Sequence, residues 1–96
     1  MSGEFWESRP NLIESDKGFS VEILGQTGLR YVEGGRAIFV DSEALATPGS
    51  MSLYRGSLEN WDAPDESDVL AEDDRERIIC NIQLAFESLG YKLQVI

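Results

Sequence analysis

Two successive glycines, Gly34 and Gly35, separate the β-forming runs 29–33 and 36–41. A two-residue hairpin turn needs positive φ at both central positions, which glycine adopts without steric cost. The pair therefore predicts a tight antiparallel hairpin. Its register sets Glu33 opposite Arg36, Tyr31 opposite Ile38 and Leu29 opposite Val40. The last four side chains then share one face and form a core block.

Upstream, Phe19, Val21 and Ile23 alternate with Ser20 and Glu22, which reads as another strand. To share the hairpin's apolar face, Val21 must pair with Tyr31. The turn at Gly25-Gln26-Thr27-Gly28 is then odd in length, with a bulge expected at Gly28. Beyond Asp41, the stretch DSEALATPGS reads as a connection and residues 51–55 as a shorter fourth strand.

Composition shifts between residues 59 and 76, where nine carboxylates face a lone Arg75. Pro64, Asp65, Ser67 and Asp68 offer helix-start chemistry, and acids suit the positive end of a helix dipole. A helix starting within 67–73 and running to Leu89 places Ile78, Ile79, Ile82, Ala85, Phe86 and Leu89 within about 120° of one another. Gly90 stops it, and Tyr91, Leu93 and Val95 alternate as a last strand. The expected fold is α+β: an antiparallel sheet, a meander of about four strands plus a C-terminal strand, covered on one face by a single helix. A chain of 96 residues buries one core. Residues 1–17 show neither strand nor helix period and read as an N-terminal arm or short edge strand, leaving 18–96 as the single domain.

The formal charge of −10 disfavours nucleic acid and anionic membrane as direct partners and steers association toward basic surfaces. There is no histidine, which removes the usual general base, zinc ligand and neutral-pH switch. A lone Cys80, no secretion-type start and no apolar run near the ~20 residues of a membrane span point to the cytoplasm. The acidic stretch DAPDESDVLAED fails the calcium-loop spacing at its third position and at the central glycine. No metal or cofactor is expected.

Asp41 and Glu43 are the least implausible acid–base pair, but they more readily cap a turn, and no enzyme is expected. Tyr31, Tyr54 and Tyr91 read as partly buried packing. Cys80 and Leu84, one helical turn apart and off the apolar stripe, are a candidate contact for a homodimer or another partner. The remaining candidate surface comprises Trp61 as anchor with Asp62, Asp65, Glu66, Asp68, Glu72, Asp73 and Asp74. Carboxylates can occupy positions that phosphates take in a basic groove. The plainer reading of the same residues is a solvated loop and a favourably charged helix start.

The block GFSVEILGQTGLRYVEGGRAIFVDSE, then Trp61-Asp62-Ala63-Pro64 and the helix ERIICNIQLAFESLG, resembles small immunity proteins of bacterial polymorphic toxin and contact-dependent inhibition systems. The resemblance covers residues 18–96. Tyr31, Glu33, Gly34, Arg36, Asp41, Ser42, Glu43 and Trp61 are the matching positions, and their shared role would be to maintain the fold. It implies a cytoplasmic protein that binds and neutralises one cognate toxin, often a nuclease. The alternatives are a nucleic-acid mimic that blocks another basic enzyme, and a structural or self-associating domain.

Overall fold

The computed structural model describes residues 4–65 and 67–96. Seven strands and one helix follow in the order β1 (Phe5–Arg9), β2 (Leu12–Ser15), β3 (Phe19–Ile23), β4 (Gly28–Glu33), β5 (Arg36–Ala44), β6 (Ser50–Leu53), α1 (Glu72–Ser88) and β7 (Lys92–Val95). A single 3-10 turn at Arg55–Ser57 lies between β6 and α1. The strands form one sheet in chain order.

At the Gly34-Gly35 turn φ is 58° and 82°, and Glu33 pairs with Arg36, Tyr31 with Ile38 and Leu29 with Val40. Val21 pairs with Tyr31, so β3 adds its apolar side chains to the same face. The Ile23–Leu29 pair encloses an odd number of residues, 24–28, as that pairing demands, but no register shift occurs at Gly28. Leu24 N–H closes the turn onto Gly28 O at 2.9 Å, and the shift falls instead between Glu7 and Arg9. What Gly28 supplies is space: a Cβ there would lie 2.4 Å from Cε1 of Phe39.

The sheet is larger than the sequence pattern suggests. Residues 5–15 form the β1–β2 hairpin, in which Ile13 faces Val21 and reaches the core. Strand β5 continues through Asp41, Ser42 and Glu43 to Ala44, because Ser42 and Ala44 N–H groups donate to Thr27 O and Gln26 O in the preceding turn. The final strand also differs from the antiparallel expectation. Strands β1 to β6 are antiparallel in succession, whereas β7 pairs parallel to β6. The helix returns the chain to the end where β6 began, which is what a parallel neighbour requires.

Helix α1 buries Ile78, Ile79, Ile82, Ala85 and Phe86 against Val21, Leu29, Tyr31, Ile38, Val40 and Leu53 of the sheet. It touches both β7 and β2, so the sheet curls around it. Burying each Ile, Val, Leu or Phe side chain of this set contributes about 1.5–3 kcal/mol. The helix ends in a Schellman motif. Gly90, at φ 77°, donates its N–H to Glu87 O at 3.0 Å, and Tyr91 N–H donates to Phe86 O at 2.9 Å. The Phe86 and Tyr91 rings then meet edge to face. At the other end Ala71 has no oxygen with which to cap, and the Asp74 carboxylate accepts the Ala71 N–H instead.

Candidate partner-binding surface

The acidic excursion between β6 and α1 is pinned at its base. Asn60 and Val69 form an isolated bridge, Leu70 N–H donates to Glu59 O at 2.9 Å, and Trp61 N–H donates to Asp68 O at 3.4 Å. Within it, Asp65 N–H reaches Asp62 O and Asp68 N–H reaches Asp65 O, both at 2.9 Å, and the Ala63–Pro64 peptide bond is cis. Trp61 is 3% exposed and belongs to the core. Its ring lies under the Arg36 guanidinium, so it acts on the excursion from inside and offers no face to a partner. Asp62 N–H donates to Ala37 O at 2.8 Å, which fastens the loop to the first half of β5.

The carboxylates named from sequence divide into two groups. Asp68 pairs with Arg36 at 3.6 Å, Glu72 with Arg55 at 3.5 Å and with Arg75, and Asp74 with Arg77 at 2.8 Å. Arg55 also meets Glu76, and Arg77 meets Glu33. The Arg77 guanidinium and the Ala71 N–H hold the Asp74 carboxyl below its ordinary value. Exposed pairs of this kind add at most about 1 kcal/mol each to stability, but they fix side-chain positions and offset charge. Asp62, Asp65 and Asp73 make no ion pair among the described residues. Glu66 lies outside the described residues. Sequence could not reveal this division, since Arg36 and Arg55 arrive from distant strands and turns.

Behind this surface, a polar network ties α1 to the sheet. The Tyr31 hydroxyl donates to Glu33 Oε1 at 2.6 Å and accepts from Asn81 Nδ2 at 2.8 Å, while Arg77 braces Glu33. Burial and the Glu33 carboxylate push the Tyr31 hydroxyl far above its ordinary value. It stays protonated and structural.

Two sequence candidates fall elsewhere. Asp41 and Glu43 cap no turn; they stand on the outer face of β5, with Ile38, Val40 and Ser42 turned inward. Tyr54, expected to be packing, is 37% exposed and donates its hydroxyl to Glu43 Oε1 at 2.9 Å, which raises its pKa. Phe39 is 44% exposed on the same face. The signal was the strict alternation from Ile38 onward, continued two residues past the expected end of the strand. Cys80 is exposed and Leu84 is half-buried.

A groove of about 330 Å³ opens at the other end of the sheet, lined chiefly by Ile23, Leu45, Met51, Phe86 and Tyr91. Among the described residues its lining holds no carboxylate, cysteine or basic group, and Tyr91 is its one titratable side chain. Among the described residues, no His, Cys, Asp and Glu cluster has metal-binding geometry and no helix is long and apolar enough to cross a membrane.

No curated protein and no solved structure matches the chain. A family model described as Immunity protein 74 matches residues 20–96.

Proposed function

Because the chain belongs to the Immunity protein 74 family, we propose that it acts by binding and neutralising a cognate toxin domain. The setting is the cytoplasm of a cell protected by a polymorphic toxin or contact-dependent inhibition system. The protein works as a stoichiometric binder, without catalysis, cofactor or metal.

The supporting observation is the pinned acidic excursion. Asp62, Asp65 and Asp73 make no ion pair among the described residues, and they stand on a frame that hydrogen bonds hold in place. Asp68, Glu72 and Asp74 form that frame with their arginines, Trp61 anchors it from the core, and Glu66 adds to the negative field. The partner surface is rich in Lys and Arg, as the phosphate-binding groove of a nuclease would be. A pre-ordered set of carboxylates needs little reorganisation on binding, and long-range attraction speeds encounter.

The test asks whether a neighbouring reading frame encodes a protein with a toxic C-terminal domain, and pairs this chain with that domain. Co-expression of the unaltered chain restores growth. The triple change Asp62→Asn, Asp65→Asn, Asp73→Asn weakens binding at least tenfold at low salt and flattens the dependence of the association rate on ionic strength. Affinity within twofold of the unaltered chain would remove the excursion from the interface.

A further inference from the structure

We infer that the cationic partner surface also seats on the outer face of β5, along a strip running from Asp62 past Phe39 to Tyr54 and Glu43; the identity of this occupant rests on the immunity reading. The strip begins where the acidic excursion ends. Asp62 is bonded to Ala37 O, and at about 3.3 Å per residue the outward positions Ala37, Phe39, Asp41 and Glu43 continue from it for about 20 Å. Tyr54 lies alongside, its N–H bonded to Asp41 O and its hydroxyl to Glu43. The excursion and the strand face thus form one continuous surface.

Its chemistry differs from that of the arginine-laced helix start. Asp41 and Glu43 make no ion pair among the described residues, and the polar side-chain partner of Glu43 is a neutral phenol. Between the carboxylates two aromatic rings are held open to solvent. The Cε1–Cζ edge of Phe39 occupies the place where any side chain at position 28 would stand, so the absence of one at Gly28 is what lets the ring settle there. Tyr54 is tethered through its hydroxyl. Ordered aromatic faces flanked by unpaired carboxylates suit guanidinium and ammonium groups, which stack on the rings while their charge meets the acids. Arg30 stands opposite Phe39 on β4, makes no ion pair among the described residues and borders the strip as a repulsive element.

Two probes test this on the full chain. The first is a hexa-arginine peptide followed by nuclear magnetic resonance at low ionic strength. Shifts are expected at residues 37–43 and Tyr54, and both Phe39→Ala and the isosteric double change Asp41→Asn, Glu43→Gln weaken peptide binding at least threefold. The second is the neighbouring toxin domain, for which each variant lowers affinity at least tenfold while Arg30→Ala raises it at least twofold. Thermal melts verify folding, and should Phe39→Ala unfold, the isosteric pair decides. Peptide shifts confined to residues 62–74, or affinities of both variants within twofold of the unaltered chain, overturn the strip. A chain that answers the peptide at β5 but never binds the toxin overturns the immunity reading and its occupant, leaving the cation-binding face intact.

Discussion

The guanidinium carbon of Arg36 sits 4.4 Å from the centroid of the Trp61 ring, and the same side chain reaches Asp68 at 3.6 Å. One arginine at the start of β5 therefore holds both the root and the far limb of the acidic excursion. Arg36→Ala should cost about 1–2 kcal/mol, the worth of a partly desolvated cation–π contact. Limited proteolysis should cut between residues 62 and 68 faster than in the unaltered chain. Unchanged cleavage there would mean that the backbone bonds alone hold the loop.

The Tyr31 hydroxyl joins strand β4 to helix α1 through Asn81. Tyr31→Phe keeps the ring in the core and leaves the Asn81 amide short of an acceptor, at a cost of about 1–3 kcal/mol. Urea unfolding should show a lower midpoint with an unchanged slope. Asn81→Ala combined with Tyr31→Phe should cost less than the two single changes added together, because one interaction is shared.

Asp74 supplies a pH signature. Its carboxyl is held below the ordinary aspartate value of 3.8, chiefly by Arg77 and then by the Ala71 N–H. A depressed folded-state value means that the ionised group stabilises the fold at neutral pH, and this contribution fades as pH falls through that lowered value. Asp74→Asn should lower the thermal midpoint at pH 7 and leave it unchanged well below pH 3.8. An equal loss at both pH values would point to packing in place of charge.

Gly90 takes φ 77° to close the helix. Gly90→Ala forces a Cβ into a left-handed conformation and should cost about 1–2 kcal/mol by denaturant titration. Gly90→Asn should cost less, since asparagine tolerates that region. Equal losses would shift the explanation from backbone strain to side-chain crowding.

Legibility in the sequence followed how local each physical cause was. The Gly34-Gly35 turn fixed the β4–β5 register, and the isoleucine stripe of α1 marked its buried face, because both signals lie within a few residues. The β1–β2 hairpin was not readable: Trp6, Glu7, Ser8 and Arg9 are all exposed, and a register shift breaks the alternation. The parallel course of β7 depends on the path of the helix. The charge state of the acidic surface depends on Arg36 and Arg55, which sequence places 32 and 17 positions from Asp68 and Glu72. Trp61 looked like an edge anchor and is one, but only the fold reveals that a guanidinium covers it.

The sheet is laid down in chain order, each strand beside its predecessor, while its inner lining is completed only by α1 and β7. During synthesis, the first six strands can pair as they leave the ribosome, yet Leu29, Tyr31 and Val40 face open solvent until residues 72–96 follow. A chain cut before residue 72 would keep the apolar side of its sheet wet, so the segment after the acidic excursion decides whether the preceding strands gain a core at all.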